Sequence, residues 1–184
     1  MDGSEHTVQT RPLQALSEDD IRLTPTSYIV LGFLAAMDEA TPYDLKQAVA
    51  QSVGNFWSVQ HAQLYSEPER LARAGYLVEK REQTGRRRKR YTLTDRGRGA
   101  LRDWLGAPVH AVPELRDLGL LKLFFGADPT RLAAGQLEAH RAKLAEYEAL
   151  AEQEMPAGMR RALDSGLGHE REFVRFWSRL AKRG

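Results

Sequence analysis

The chain has 184 residues, of which 42% are hydrophobic and 28% are charged, with a net charge of +2 and no cysteine. This composition is typical of a folded protein, and the length allows one full domain or two small ones. The lack of cysteine excludes disulfides and thiolate metal sites and fits a reducing cytoplasm. No apolar run reaches the roughly 20 residues of a membrane helix, and the amino terminus lacks the features of a signal peptide.

The charge is distributed unevenly along the chain. Between residues 70 and 102, twelve lysines and arginines stand against three acidic residues, which gives this segment a net charge of +9. A concentrated basic region in a weakly charged protein indicates a polyanionic partner, and nucleic acid is the obvious one. A solvated basic surface that only aids solubility is the alternative.

Residues 1–22 are polar and aperiodic and are predicted to form a mobile acidic tail. Two Thr-Pro pairs then predict helix starts, because threonine is a good N-cap and proline suits the first helical position. Thr24-Pro25 opens the first helix. Thr41-Pro42 opens the second, which is predicted to run from Tyr43 to about Ser52 and to end at Gly54.

A third helix is predicted from an N-cap at Ser58 to Ala74, where Gly75 supplies the usual C-terminal glycine. Its buried face is predicted from apolar residues at helical spacing, namely Ala62, Tyr65, Leu71 and Ala74. Pro68 lies inside this helix. Because proline removes a backbone hydrogen bond there, a kink or a break is predicted.

Two extended segments, residues 76–78 and 91–94, flank a Thr84-Gly85 turn signal and predict a β-hairpin. Five consecutive cations lie on it, namely Arg86, Arg87, Arg88, Lys89 and Arg90. By strand alternation, Tyr91 and Leu93 are predicted to point inward, and Arg90 and Thr92 outward. The hairpin is therefore predicted to be a projecting basic ribbon.

A fourth helix is predicted from Thr94 to Gly106. The order helix, helix, helix, hairpin, helix over residues 23–106 is that of a winged helix-turn-helix domain. Residues 107–184 have only helical patterns and are predicted to form a second, α-helical domain. The predicted fold class is therefore mostly α with a β-hairpin.

Three helices are predicted in the second domain. The first has an apolar face that ends at Gly126 and consists of Leu115, Leu118, Leu121, Phe124 and Phe125. The second runs from Asp128-Pro129 to about Glu154, with a coiled-coil-like seam of Ala133, Leu137, His140, Leu144, Tyr147 and Ala151. The third follows Pro156 and Gly158 and places on one face Phe173, Phe176, Trp177 and Leu180. Since roughly three heptads are short for a free coiled coil, the seam is predicted to pack against other helices.

Together these segments resemble the PadR-type transcriptional regulators. Over residues 23–105 the resemblance is carried by Pro42-Tyr43-Asp44-Leu45, Phe56-Trp57-Ser58, Gln63-Leu64-Tyr65 and the stretches 71–78 and 88–97. The second half is similar to the longer, virulence-activator-like C-terminal domain of that family. The resemblance implies a homodimeric DNA-binding repressor whose C-terminal helices form the dimer and, in some members, a ligand cavity. Pro68 departs from the family pattern, in which an aliphatic core residue is usual.

In a winged helix-turn-helix domain the third helix enters the major groove. Side chains near its start that suit base edges are Ser58, Gln60, His61 and Gln63, unless they form only a solvated polar face. Tyr43 and Tyr65 are placed to contact phosphates, although Tyr65 fits a half-buried core position nearly as well. The wing tip, Arg86, Arg87, Arg88 and Lys89, is predicted to reach the minor groove, with Arg90 on the DNA backbone.

The predicted dimer contacts come from the second domain, namely Leu137, His140, Leu144, Tyr147, Phe173, Phe176, Trp177 and Leu180. Phe56, Trp57 and Trp177 are candidates for stacking on a small hydrophobic or aromatic effector, but simple packing is favoured for all three. Packing is also favoured for Trp104. His140 is either a pH-sensitive residue or an ordinary interface histidine.

The sequence therefore predicts a cytoplasmic regulator that binds a roughly palindromic double-stranded operator as a homodimer and is released by an effector. A winged-helix module that binds a protein is the alternative. A MarR-like regulator would bury its N-terminal helix in the dimer, and residues 1–22 are too polar for that. No enzyme, metal or cofactor is predicted, because the five histidines are dispersed and neither a phosphate-binding glycine loop nor a nucleophile elbow is present.

Overall fold

The computed structural model describes residues 21–82 and 88–182. Most of the predicted acidic tail and the wing residues 83–87, which include Arg86 and Arg87, lie outside the described residues. The chain divides after Val109 into two compact units, each with its own hydrophobic core. Within the described ranges, no helix is long and apolar enough to cross a membrane.

In its described residues, 21–82 and 88–109, the N-terminal unit contains a three-stranded sheet among four α-helices. Its elements in chain order are α1 (Pro25–Met37), β1 (Glu39–Ala40), α2 (Pro42–Ala50), a 3-10 turn (Val53–Asn55), α3 (His61–Arg73), β2 (Leu77–Arg81), β3 (Lys89–Leu93) and α4 (Asp95–Gly106). The strands are antiparallel in the order β1-β3-β2. The predicted mostly helical fold with a β-hairpin is therefore confirmed.

Both Thr-Pro helix starts are confirmed. Thr24 and Ser27 form a capping box at α1, and Thr41 and Asp44 form one at α2. The hydrogen bonds from the Thr41 backbone and hydroxyl groups outweigh partial burial and lower the pKa of Asp44. Helix α2 ends at Ala50, earlier than predicted, and Gly54 lies in the following 3-10 turn.

Helix α3 begins later than predicted and buries a partly different face. Gln60 is its N-cap, so Ser58 precedes the helix and does not cap it. Ala62 and Tyr65 are exposed, and the buried residues are Leu64, Glu67, Pro68 and Leu71. Leu71 and Ala74 are buried as predicted, whereas the first half of the face was mispredicted because Glu67 and Pro68, which are buried there, are not apolar aliphatic residues.

Helix α3 is continuous through Pro68, so the predicted break is wrong. The Pro68 side chain is fully buried. The ring lacks the N–H that would bond to the Leu64 carbonyl, but it fills the core position that an aliphatic side chain would otherwise occupy.

Gly97 is in the first turn of α4 and packs against the backbone of Tyr76, the residue just before β2. A Cβ at this position would overlap the Tyr76 carbonyl oxygen and meet Leu93 Cδ2 at 3.0 Å. We expect Gly97→Ala to destabilise the protein by about 2 kcal/mol in urea denaturation, because backbone must move to admit the methyl group.

Gly99→Ala is the matched control for this prediction. It lies in the same helix, and its Cβ would meet only the Arg102 guanidinium group, at 3.8 Å. Alanine is the better helix former, so this variant should be neutral or more stable by up to about 1 kcal/mol. Equal unfolding midpoints for the two variants would contradict the role given to Gly97.

The C-terminal unit contains three helices, α5 (Leu118–Phe124), α6 (Pro129–Ala151) and α7 (Ala157–Ala181). Asp117 and Asp128 cap α5 and α6 with their side chains. The core around Ala133, Leu137 and Trp177 forms where α6 packs against α7. Gly166 lets the Tyr147 ring approach α7, since a Cβ there would lie 2.9 Å from Tyr147 Cε2.

The apolar face predicted before Gly126 is not buried by the chain. Its members are all exposed, namely Leu115, Leu118, Leu121, Phe124 and Phe125. Leu115 also precedes α5, which begins at Leu118. Instead, Gly119 is buried, and Leu120 and Leu123 pack against the core of this unit.

Candidate nucleic-acid interface

One side of α3 is buried and the other presents polar groups to solvent. The exposed groups at its start are Gln60, His61, Gln63, Tyr65 and Ser66. The Gln63 side-chain carbonyl accepts a hydrogen bond of 3.5 Å from the Thr26 hydroxyl. Its amide group therefore keeps two N–H donors for an external acceptor.

The N-terminal end of α3 is suited to an anion. Gln60 makes no side-chain capping bond there, and the first turn contains no acidic residue. The first N–H groups of a helix carry partial positive charge, so this end attracts negative charge. Ser58 lies on the exposed segment that leads into it.

A buried ion pair fixes α3 against α1. The Ser27 hydroxyl donates to Glu67 Oε1 at 2.6 Å, and Arg70 donates to both Glu67 oxygens at 2.8 and 2.6 Å. Arg70 also bonds to the Arg22 carbonyl at 3.3 Å. Burial disfavours the ionised carboxyl, but the bonds from Arg70 and Ser27 outweigh it and lower the pKa of Glu67.

Sequence reasoning missed this group. The spacing of Glu67 and Arg70 is that of an ordinary surface ion pair on a helix, and nothing in it reveals burial. Ser27 gave no signal either, because its hydroxyl already has a local role in the capping box of α1.

Tyr43 is exposed at the first turn of α2, and its hydroxyl accepts a hydrogen bond of 3.0 Å from the Gln47 amide. Tyr65 is 48% exposed and is not among the buried core residues of this unit. Both tyrosines are accessible to a partner, and their contact with phosphates stays a prediction.

The β2–β3 hairpin places like charges opposite one another. Lys80 is the register partner of Arg90, and Arg81 is that of Lys89. Lys89 lies in β3 and not at the wing tip as predicted. The alternation predicted for β3 is confirmed for its two inward residues, since Tyr91 and Leu93 are buried.

Carboxylates surround the cations of the hairpin. Arg90 pairs with Glu39 and Glu82, each at 3.1 Å, and Lys89 Nζ lies 3.2 Å from Glu69 and 3.4 Å from Glu79. Arg88 precedes β3 and is exposed. The structure thus gives Lys89 and Arg90 partners within the chain, and their predicted contacts with DNA stay predictions.

Two tryptophans predicted to lie in the core, Trp57 and Trp104, are exposed. Phe56 is 66% and Trp57 46% exposed, while Trp104 stacks on Tyr28 at the surface with ring centroids 4.6 Å apart. Trp57 lines an open cleft of about 230 Å³ together with Lys46, Asn55, Ser58, Val59 and His61. Trp177 is fully buried in the core of the C-terminal unit.

The predicted dimer residues pack within the chain. Leu137, Tyr147 and Trp177 are buried. His140 Nδ1 lies 2.7 Å from Glu170 Oε2, and the His140 ring stacks on Phe173 with centroids 4.6 Å apart. Contact of this seam with a second chain stays a prediction. Within residues 21–82 and 88–182, no three His, Asp or Glu side chains are grouped to hold a metal ion.

The fold and this surface define a winged helix-turn-helix protein with an added helical unit. The model of the transcriptional regulator PadR-like family matches residues 30–103. The negative transcriptional regulator PadR of Bacillus subtilis (strain 168) is 33% identical over 129 residues, which are 66% of this chain and 70% of that protein. The chain belongs to the PadR-like family of transcriptional regulators, which confirms the resemblance drawn from the sequence.

Solved structures of relatives have the same fold. Bacillus subtilis PadR in complex with operator DNA has a TM-score of 0.75 at 29% identity, with 85% of this chain and 97% of that chain covered. The same protein in complex with p-coumaric acid has a TM-score of 0.71 at 28% identity, covering 88% and 98%. The PadR-like regulator BC1756 from Bacillus cereus is 20% identical with a TM-score of 0.73, covering 86% and 96%.

Proposed function

We propose that this regulator is a cytoplasmic repressor that binds a specific double-stranded operator as a homodimer and has no enzymatic activity. The observation that carries the proposal is that one unit combines an exposed polar start of α3 with a hairpin rich in cations. The crystal structure of a relative with operator DNA supports it. Helix α3 enters the major groove, and the side chains proposed to read bases are Gln60, His61 and Gln63, with Ser58 just before them.

The wing arginines supply most of the electrostatic attraction in this proposal. Arg86, Arg87 and Arg88 are the cations proposed to contact phosphates most strongly, and Lys89 and Arg90, which pair with carboxylates of the chain, are proposed to contribute less. A homodimer then neutralises about six phosphates, and the logarithm of the binding constant should fall with the logarithm of salt concentration with a slope near −5.

Homodimerisation is proposed because an operator with two half-sites requires two recognition helices related by two-fold symmetry. The C-terminal unit is proposed to supply the contact. Half-sites about one helical turn apart, or a multiple of it, follow from that symmetry.

The experiment that tests this function is selection of bound duplexes from a random pool by the purified protein. We expect enrichment of a roughly palindromic sequence, which the protein binds with the salt dependence given above. Equal recovery of all sequences would contradict specific recognition.

Release by a small hydrophobic or aromatic effector is the second part of the proposal. A relative has been crystallised with p-coumaric acid, and here exposed Phe56 and Trp57 lie near the start of α3. A ligand releases DNA if it binds better to a conformation that misplaces the recognition helices. Titration of the selected complex with p-coumaric acid and related aromatic acids should dissociate it. A complex that survives all of them would leave repression without this control.

A further inference from the structure

We infer that four carboxylates hold the strands of the β2–β3 hairpin in place, with Glu69 linking them to the recognition helix α3 and Glu39 linking them to β1, and so contribute to sequence specificity. We call them the acidic clamp, which consists of Glu39, Glu69, Glu79 and Glu82. Acidic residues beside a DNA-binding surface would ordinarily weaken binding by repelling phosphates. The inference rests on the proposed function, and it gives these residues the opposite effect on specific binding.

The hairpin itself creates the need for the clamp. Directly opposite like charges destabilise a pair of antiparallel strands, and here two successive register pairs, Lys80–Arg90 and Arg81–Lys89, are both cationic. The carboxylates offset this repulsion. Glu79 is the best example, because its carboxylate accepts hydrogen bonds from Arg81 at 2.7 Å and from the Tyr91 hydroxyl at 3.0 Å.

The contacts of Lys89 tie the hairpin to α3. Lys89 Nζ bridges Glu79 on β2 and Glu69 on α3, with N–O distances of 3.4 and 3.2 Å. The Lys89 and Glu79 side chains are only 29% and 20% exposed, so solvent screens this pair less than a fully exposed one. The bonds to Glu79, led by that from Arg81, lower its pKa and keep it ionised at neutral pH. The connection to the helix proposed to read the bases is made by Glu69, whose side chain is 47% exposed.

The contacts of Arg90 tie the opposite face of the hairpin to the rest of the sheet. Its Nη1 pairs with Glu39 on β1, and its Nε pairs with Glu82 just beyond β2. Glu39 also lies opposite Thr92 in the β1–β3 register. Lys89 is held on one face of the hairpin and Arg90 on the other. These contacts restrain rotation of strands β2 and β3 relative to α3 and β1.

Substitution of clamp residues distinguishes two roles for these carboxylates, because positioning of the hairpin and simple repulsion of phosphates predict different changes in DNA affinity. Glu39→Gln and Glu69→Gln each remove a negative charge from a link between the hairpin and another element. If repulsion were their only effect, both variants would bind all DNA more tightly. If they position the hairpin, the ratio of operator affinity to affinity for unrelated DNA falls.

The experiment measures binding of the full-length protein to the selected duplex and to an unrelated duplex. We expect each single variant to lower the affinity ratio about threefold and the double variant about tenfold. Asp103→Asn is the control, because it makes the same charge change at an exposed position of α4. A ratio unchanged from wild type in the double variant would overturn the inference.

Hydrogen exchange of the free protein provides a test that does not depend on DNA. Backbone amides of β2 and β3 should exchange severalfold faster in the double variant than in wild type or Asp103→Asn. Unchanged exchange would also overturn the inference. If wild type selects no duplex, the proposed function fails, and the exchange measurement alone decides whether the clamp holds the hairpin.

Discussion

Replacing Glu67 with alanine is expected to lower the free energy of unfolding by about 3 kcal/mol. The carboxylate is 9% exposed and accepts hydrogen bonds from Ser27 and Arg70. Its removal leaves a partly buried guanidinium without its counter-ion, and breaking a buried pair from one side typically costs about 3–5 kcal/mol. The lower end applies because the Arg70 side chain is one-third exposed. Urea denaturation of the full chain, followed by circular dichroism, gives the value.

Glu69→Ala is the matched control on the same helix. Its carboxylate is 47% exposed, so its ion pair with Lys89 should contribute less than about 1 kcal/mol. Similar losses in the two variants would contradict the special role of Glu67.

The stabilisation by Glu67 should also depend on pH. Its pKa in the folded protein is lower than the ordinary value of 4.5, so folding is favoured by its ionisation. The contribution is complete above about pH 4.5 and is lost as the pH falls through the folded-state pKa. The stability difference between wild type and Glu67→Gln should therefore shrink in acid. A difference that stays constant down to pH 3, well below the usual carboxyl range of about 4, would contradict this account.

The triple substitution of Arg86, Arg87 and Arg88 by alanine is expected to reduce affinity for the selected duplex at least 100-fold near 0.15 M salt. The change removes about six phosphate contacts from a dimer. The slope of the log binding constant against log salt concentration should therefore rise by about five, from near −5 to near zero. Fluorescence anisotropy across a salt series measures both quantities.

The control for this triple variant removes the same charge from the C-terminal unit. Arg131, Arg141 and Arg161 are exposed there and can be replaced together by alanine. That variant should keep a salt slope close to the wild-type value. If this control weakened the salt dependence of binding as much as the Arg86, Arg87 and Arg88 substitution does, net charge and not the position of these arginines would determine binding.

Local signals were sufficient to predict most elements of the fold. Thr24 and Thr41 identified two helix starts because their capping depends only on residues within one turn. The hairpin followed from β-prone residues around a turn signal. The face of α3 was mispredicted because Glu67 is buried through partners, and Ser27 lies 40 positions away in the sequence.

The site was less predictable than the fold because it also depends on contacts between residues that are far apart in the sequence. The run of cations was evident from the sequence, but two of the carboxylates that pair with it, Glu39 and Glu69, come from other elements. Glu39 is 51 positions from Arg90, and no local pattern links them. The exposure of Trp57 and Trp104 was mispredicted because large aromatic side chains are usually buried, and only packing of neighbouring elements decides the exception.

Equilibrium binding of the purified protein to the selected duplex and to unrelated DNA, across a salt series, tests the central claim most directly. We expect a clear preference for the selected duplex, and a plot of log binding constant against log salt concentration with a slope near −5 that depends on Arg86, Arg87 and Arg88. Absence of binding to any duplex even at low salt would contradict DNA recognition and would favour a winged-helix module that binds a protein.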